Sequence, residues 1–303
     1  MKKGVVIKST GSWYLVKQEN GSEVSCKIRG KLRLDGIKST NPVSVGDIVL
    51  LDDDDVIVDI EPRKNYIVRK SPNLSKQSHI IAANVDQAVI VVTINYPVTT
   101  TVFIDRFLTA AEAYRIPVSI IFNKTDRYDE EQLQELQELR NVYEKIGYTT
   151  YRISAKRDKE FNSIVELLKD KVTVIAGHSG VGKSTLINRL QPGIDLKTTE
   201  ISDSHQSGKH TTTFAEMHAL SFGGYIIDTP GIRGFGLYHV EKEEIYHFFR
   251  ELFSVAEKCR YNNCMHINEP GCAVKEAVKN GDIAPSRYNS YLNLYIDDNG
   301  KYR

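Results

Sequence analysis

The stretch 172-VTVIAGHSGVGKSTLINRL-190 carries the most structural information in the sequence. Val172 to Ala176 predict a strand, Lys183 to Leu190 predict a helix, and Gly177 to Ser184 between them match the phosphate-binding pattern GxxxxGK[ST]. Glycines let backbone N–H groups close around a β-phosphate, Lys183 can bridge β- and γ-phosphates, and Ser184 can bind Mg²⁺. A chance glycine-rich turn is the alternative, but the flanking strand and helix are the context that the motif requires. The predicted nucleotide contacts are Gly177, His178, Ser179, Gly180, Val181, Gly182, Lys183, Ser184 and Thr185.

Upstream of this stretch, apolar strand-like runs alternate with amphipathic helical runs. The predicted strands are 86–94, 117–122 and 148–153, and the predicted helices are 103–114, 130–146 and 161–168. Alternation of this kind predicts a parallel sheet covered by helices on both faces. The domain that contains the phosphate motif is therefore predicted to be an α/β domain.

A second acidic motif follows the phosphate loop. Asp228-Thr-Pro-Gly231 ends a strand predicted over 225–227, and Asp228 lies 44 residues after Ser184. Asp228 is expected to hold Mg²⁺ through water, and the Gly231 N–H is expected to respond to the γ-phosphate. The pattern DxxG alone occurs by chance. Together with a phosphate loop it is a strong indication of a nucleotide site.

Two polar loops before the phosphate loop predict recognition of guanine. Asn123-Lys124-Thr125-Asp126 follows a predicted strand, and an aspartate there can accept from both N1–H and the 2-amino group of guanine. Adenine offers no such donor pair. Ser154-Ala155-Lys156 follows the next strand, and the Ala155 N–H could meet O6 of the base. The alternative for the first loop is an ordinary polar turn between a strand and a helix.

The order of these motifs is unusual. In most GTPases the phosphate loop comes first and the guanine-reading loop comes late, whereas here residues 123–126 and 154–156 precede 177–184 and 228–231 comes last. The same sheet can be built if the chain is opened elsewhere and the old termini are joined. The order therefore predicts a circularly permuted GTPase.

A polar, helix-poor stretch from Gln191 to Thr213 is typical of a mobile loop that closes over a nucleotide. Thr211 and Thr212 are both candidates to complete the coordination of Mg²⁺, and spacing does not choose between them. Ile232 follows Gly231, where many GTPases have a glutamine that orients water. His210 is a candidate to supply that polar group, although a lone histidine in a loop is more often a surface residue.

Three of the four cysteines form a metal-ligand pattern with a histidine. The pattern is Cys259-x4-Cys264-x-His266-x5-Cys272, and Cys26 stands alone far upstream. Three thiolates and an imidazole complete a tetrahedral Zn²⁺ site with no position open for water, which predicts one structural zinc ion. Free thiols in a helical domain are the alternative.

The first 65 residues consist of short β-rich runs separated by turns, which predict a small all-β barrel of the OB type. Lys27, Arg29, Lys31 and Arg33 alternate with apolar residues or glycine, so a strand here would present four cations on one face. Such a face contacts either solvent or a phosphate backbone, and the pattern does not choose.

Length and composition set the organisation. A chain of 303 residues is too long for one ordinary core, and we predict three domains, 1–70, 71–237 and a mostly helical 238–303. With 40 basic and 39 acidic residues, the net charge of +1 indicates no class of partner. Apolar runs are too short to span a membrane and no leader follows Met1, so we expect a cytoplasmic protein without a membrane partner.

Together these motifs resemble the bacterial family of small-ribosomal-subunit-dependent GTPases, known as RsgA, YjeQ or YloQ. The resemblance extends over nearly the whole chain and rests on residues 123–126, 177–184, 208–213 (GKHTTT), 228–235 (DTPGIRGF) and 259–272. There are two small departures. His178 stands where the family more often has glutamine, and Lys209 stands where arginine is common.

The resemblance implies a barrel that contacts 16S rRNA, a zinc-containing helical domain and a role in late maturation of the 30S subunit. It also implies hydrolysis of GTP to GDP that is slow until the subunit binds, with His210 acting in place of glutamine. We expect a monomer away from the ribosome. Two other classes of protein share part of this pattern: an ATPase or small-molecule kinase with a zinc module, and an RNA-binding protein with a vestigial nucleotide site.

Overall fold

The computed structural model describes residues 1–28, 42–70, 78–194, 215–228, 235–237 and 240–297. The strands are β1 (Lys2–Ser9), β2 (Tyr14–Gln18), β3 (Glu23–Ile28), β4 (Ile48–Leu51), β5 (Val56–Ile60), β6 (Tyr66–Lys70), β7 (Ser78–Ala83), β8 (Gln87–Val92), β9 (Val118–Phe122), β10 (Thr149–Arg152), β11 (Val172–Ala176), β12 (Glu216–Ala219) and β13 (Tyr225–Asp228). The helices are α1 (Thr101–Ala113), α2 (Glu130–Lys145), α3 (Asn162–Leu168), α4 (Lys183–Leu190), α5 (Arg250–Ala256), α6 (Ala273–Lys279) and α7 (Pro285–Ile296), with 3-10 segments at Thr125–Arg127 and Lys242–Phe248. None of the helices in these ranges is long and apolar enough to cross a membrane.

The chain divides into two compact units. The first unit contains Met1–Val89 and Ala155–Phe235, and the second unit contains Ile90–Ser154 and Gly236–Arg303. Each unit is built from two separate stretches of chain, and β8 runs across the division.

The first unit begins with a closed β-barrel. Its strands follow the order β1-β2-β3-β5-β4, and β4 pairs back with β1, which closes the barrel. The barrel core is apolar and fully buried, because alternate residues of each strand point inward; it contains Val6, Tyr14, Val16, Cys26, Val43, Val49, Leu51 and Ile57. This confirms the predicted OB-like barrel.

The predicted cationic strand falls only partly within the described residues. Strand β3 ends at Ile28, and its Lys27 ammonium lies 4.2 Å from the ring centroid of the exposed Trp13. Arg29, Lys31 and Arg33 lie outside the described residues, so the four-cation face stays a prediction.

A short strand joins the barrel to the α/β part of the first unit. Strands β11 and β13 are parallel, as expected, but β12 runs antiparallel to β13 and also pairs with β1 through Lys8 and Glu216. The β12–β13 turn needs Gly224 at φ +85°, because a Cβ there would lie 2.6 Å from the Lys171 backbone. Strand β12 was not predicted, because four residues are too few for a recognisable period.

The second unit contains strands in the order β10-β9-β8, with β9 and β10 parallel, and the helices α1 and α2. Every residue of β8 and β9 is buried, as expected for the centre of a parallel sheet. Asp129 begins α2 with a reciprocal capping box to Gln132. The C-terminal part of this unit is mostly helical, which confirms the prediction for that region.

Buried charges hold the C-terminal helices to α1. Arg287 of α7 is 1% exposed, and its guanidinium donates to Asp105 of α1 at 2.7 Å and to Glu251 of α5 at 2.6 Å. The Tyr143 hydroxyl of α2 also donates to Asp105, at 2.9 Å. Burial lowers the pKa of Arg287, but Asp105 and Glu251 outweigh that effect and raise the pKa above its ordinary value.

Candidate nucleotide and metal sites

The phosphate loop in the first unit connects β11 to α4. Gly177, Gly180 and Gly182 have φ values of 141°, 81° and 99°, which side chains with a Cβ rarely adopt. Gly182 is the N-cap of α4, so the first N–H groups of that helix border the loop. The Lys183 ammonium donates to the carbonyl oxygens of Gly177 and His178, each at 2.8 Å. Glycine conformation, helix N-terminus and lysine therefore converge as a phosphate site requires.

Asp228 lies next to this loop along the sheet. It ends β13 and pairs in register with Ile175 of β11, two residues before Gly177. The other residues predicted to sense the γ-phosphate or to act on water lie outside the described residues; they are His210, Thr211, Thr212 and Gly231. Their roles stay predictions.

The predicted base-reading loop begins directly after β9 in the second unit. Asn123 is 1% exposed, and its N–H donates to the Val92 carbonyl at 2.9 Å. The buried Tyr128 hydroxyl donates to the Asn123 carbonyl at 2.9 Å and accepts from the Ile94 N–H at 3.2 Å. Tyr128 thus joins the two strand ends that support the loop.

The side chains of this loop have defined partners. Lys124 has φ +65°, and its ammonium donates to the Tyr96 carbonyl. Burial, and then the charge of Arg127, lower the pKa of Lys124. Asp126 accepts a hydrogen bond from the buried Ser154 hydroxyl, which fixes one carboxylate oxygen. The structure therefore brings Asp126 and Ser154 together.

Ala155 and Lys156 continue this loop in the first unit. Ala155 is buried, and its carbonyl accepts from the Arg189 guanidinium of α4 at 3.0 Å. Lys156 is exposed. The same helix that begins with Lys183 thus also contacts the predicted O6-binding loop.

The four predicted zinc ligands cluster in the second unit. One ligand atom from each of Cys259, Cys264, His266 and Cys272 lies within 4.8 Å of all the others. His266 Nδ1 is 3.5 Å from the sulfurs of both Cys259 and Cys272. Zn–S bonds of about 2.3 Å in a tetrahedron hold neighbouring sulfurs somewhat closer than 4.8 Å, so small shifts complete a zinc site.

Burial opposes charge on the thiols of the cluster, and a bound cation would reverse that effect. Burial raises the pKa of the Cys264 thiol to about 12, and it also raises the pKa of Cys272. Burial lowers the pKa of His266, which favours the neutral imidazole that a metal needs. A divalent cation offsets the cost of the buried thiolates, because it binds the deprotonated sulfur directly.

The loop that carries His266 is held by hydrogen bonds to its backbone. The Glu269 carboxylate accepts from the N–H groups of Met265 and Ile267, each at 2.8 Å. The Tyr288 and Tyr291 hydroxyls of α7 donate to the carbonyls of His266 and Met265, at 2.7 and 2.6 Å. These contacts support the φ of +60° at His266, which turns its ring toward the thiols.

Two residues that support these sites, Tyr128 and Arg189, are not among those that the sequence singled out. Each acts through a hydrogen bond to a residue that is distant along the chain or to a backbone atom. The only signal in the sequence was the position of Arg189 on the predicted helix after the phosphate loop.

Comparisons with known proteins agree over the length of the chain. Residues 60–238 match the family model described as RsgA GTPase, and residues 3–56 match that of the RsgA N-terminal domain. The chain is 57% identical to the small ribosomal subunit biogenesis GTPase RsgA of Bacteroides fragilis, covering 99% of both chains. It is 52% identical to that of Flavobacterium psychrophilum, covering 99% of this chain and 94% of the relative.

Two solved structures are similar in fold. YjeQ from Thermotoga maritima has a TM-score of 0.79 at 36% identity and covers 97% of both chains. YloQ, described as a circularly permuted GTPase, has a TM-score of 0.72 at 30% identity and covers 97% of this chain and 93% of that structure. The likeness confirms the fold class predicted from the order of the motifs.

Proposed function

The chain belongs to the RsgA GTPase family, a family of GTP hydrolases, and we propose that it acts in biogenesis of the small ribosomal subunit. The observation in this chain's own structure that supports GTP as the nucleotide used in that role is the guanine-type loop. Asp126 lies just after the buried strand β9, and its carboxylate is oriented by Ser154. A carboxylate held there can pair with both N–H donors of guanine, which adenine lacks.

We propose the following roles for the nucleotide residues. Asn123 to Asp126 and Ser154 to Lys156 bind the base, and Gly177 to Thr185 bind the phosphates, with Lys183 on the β- and γ-phosphates. Mg²⁺ would be held by Ser184, by Asp228 through water, and by Thr212, for which Thr211 is the alternative. Gly231 responds to the γ-phosphate, and His210 orients the attacking water.

The cysteine–histidine cluster is proposed to hold one structural zinc ion. Three thiolates and one imidazole leave no position for water or substrate, so the ion would stabilise fold rather than take part in hydrolysis. The α5–α7 region is small, with helices of 7 to 12 residues, and a metal adds stability where the apolar core is limited.

The proposed partner is the 30S subunit, contacted at its 16S rRNA by the barrel. The relatives are named for small-subunit biogenesis, which supports this assignment. We further propose a division into residues 1–70 for RNA contact, 71–237 for GTP hydrolysis and 238–303 for the zinc domain. The protein is proposed to be cytoplasmic and monomeric away from the ribosome.

The test measures GTP turnover of the purified protein with and without 30S subunits, and its affinity for GDP, for the wild type and for Asp126→Asn. We expect slow turnover alone, faster turnover with subunits, and a large loss of GDP affinity in the variant. The amide would leave guanine donors unpaired at about 1–3 kcal/mol each. The matched control is Glu131→Gln in the first turn of α2. It removes one negative charge, as Asp126→Asn does, but at an exposed position.

The outcomes separate the alternatives. Displacement of bound fluorescent GDP by ATP as well as by GTP would favour an ATPase or kinase. RNA or subunit binding that is equal in every nucleotide state, with no turnover, would favour a vestigial nucleotide site. Unchanged GDP affinity in Asp126→Asn would show that guanine is read elsewhere.

A further inference from the structure

We propose that Arg189 is a positioning residue that holds the Ser154–Lys156 loop for contact with O6 of guanine. The inference rests on the proposed function, because it assumes that the nucleotide carries a guanine base. It assigns a role in base selection to a residue of the helix that follows the phosphate loop. Arg189 itself does not need to touch the nucleotide.

The contact is specific in geometry. Arg189 Nη1 donates to the Ala155 carbonyl at 3.0 Å, and the guanidinium lies 4.9 Å from the ring centroid of Phe161. Phe161 is the N-cap residue of α3, so the ring belongs to the segment that follows the loop. The guanidinium of Arg189 thus makes a cation–π contact and a hydrogen bond at the same time.

One short helix links the phosphate loop to this contact. Lys183 begins α4 and Arg189 lies in its last turn, six residues and about 9 Å of helix away. A helix is stiff over that length, so the hydrogen bond from Arg189 to the Ala155 carbonyl has a fixed position relative to the phosphate loop. A nucleotide bound by its phosphates would therefore meet the loop at a constant separation.

The backbone of Ala155 is the element that needs positioning. Its N–H and C=O belong to successive peptide planes joined at Ala155. Ala155 is buried, which limits rotation at that joint, so fixing the plane of the carbonyl also narrows the directions open to the N–H. An N–H aimed at position 6 favours guanine, which has an oxygen acceptor there, over adenine, which has an amino donor. Such selection depends on placement within about 0.5 Å.

The experiment compares the affinities of GDP and 6-thio-GDP for the wild type, Arg189→Ala and Arg189→Lys. The thio analogue keeps N1–H and the 2-amino group but has a weaker acceptor at position 6. We expect Arg189→Ala to bind GDP about fivefold more weakly, which is about 1 kcal/mol, with 6-thio-GDP affected less. Arg189→Lys should recover part of the difference, since it keeps the charge but not the planar stacking.

Two controls separate positioning from general structure. Inosine diphosphate keeps O6 and lacks the 2-amino group. Arg189→Ala should therefore weaken the binding of inosine diphosphate by the same factor as the binding of GDP. Lys159→Ala removes an exposed cation near the same loop and should change neither affinity. Thermal unfolding of each variant measures any loss of stability independently.

Either of two results would overturn the inference: equal weakening of GDP and 6-thio-GDP by Arg189→Ala, or no weakening of GDP at all. A wild-type protein that binds ADP as well as GDP would instead refute the proposed function, and the inference with it. Failure of the inference and failure of the proposed function are distinguishable, because binding of ADP is measured on the wild type before any variant is made.

Discussion

The variant Arg287→Ala tests what holds the C-terminal helices to the rest of the second unit. Arg287 donates to Asp105 of α1 and to Glu251 of α5, which are separated from it by 182 and 36 residues. The guanidinium also lies 4.6 Å from the ring centroid of Phe249. The substitution removes one side chain that joins α1, α5 and α7.

The expected loss follows from burial. The side chains of Asp105 and Glu251 are 0% and 7% exposed in their ion pairs with Arg287. Removing one partner of a buried ion pair typically costs about 3–5 kcal/mol, because the remaining charge is left without compensation. Since domains are stable by about 5–15 kcal/mol, we expect the docking of α7 on α1 to weaken severely.

The assay combines urea unfolding with hydrogen exchange read by peptide mass spectrometry. We expect a lower unfolding midpoint and faster exchange in α1 and α7, while the barrel strands of the first unit keep their protection. Arg250→Ala is the matched control, because Arg250 pairs with Glu112 at the surface, with side chains 39% and 27% exposed. That ion pair should contribute at most about 1 kcal/mol. The control also removes a hydrogen bond from Arg250 to the exposed Gly147 carbonyl at 3.0 Å and a contact with the Tyr148 ring at 4.1 Å, so its total loss should be larger than the pair alone but smaller than that of Arg287→Ala.

A stabilising role for the buried Arg287 pairs would be refuted if Arg287→Ala lowered the free energy of unfolding by no more than Arg250→Ala. It would also be refuted if exchange rose equally in the barrel, since the cluster would then support the whole chain rather than the second unit. A loss of about 3 kcal/mol or more confined to the second unit agrees with the structure.

Three further predictions concern the sites and one surface carboxylate. Cys264→Ser removes one of four ligand atoms, so elemental analysis should find much less zinc than the expected one ion per chain; full zinc content would contradict the ligand set. Tyr128→Phe leaves the Asn123 carbonyl without its buried hydroxyl donor, so GDP affinity should fall about threefold to tenfold in a fluorescence titration. Unchanged affinity would show that the tyrosine is dispensable. For Asp86, burial raises the pKa, but Lys64 and a backbone N–H outweigh it and lower the pKa below its unfolded value. Asp86 therefore stabilises the fold above about pH 4, and that contribution is lost as the pH falls through its lowered pKa. The difference in melting temperature between the wild type and Asp86→Asn should accordingly shrink between about pH 6 and pH 3, and a constant difference would argue against a charge effect.

The sequence alone was sufficient to identify the motifs whose residues lie close together along the chain. The phosphate loop can be recognised because its strand, glycines and helix are consecutive, and each conformation depends on neighbouring residues. The cysteine–histidine spacing predicted the cluster for a similar reason, since four ligands within 14 residues need little chain closure to meet. The circular permutation could be read from the order of the motifs.

The tertiary structure decided the contacts that position these motifs. Arg287 meets Asp105 across 182 residues, and Arg189 binds a backbone carbonyl 34 residues away. The pairing of β12 with β1 joins segments more than 200 residues apart. No periodicity marks such pairs, because one hydrogen bond between distant residues leaves no repeating pattern in either segment. The sequence therefore determined which chemical groups this protein uses, while packing determined how those groups are held.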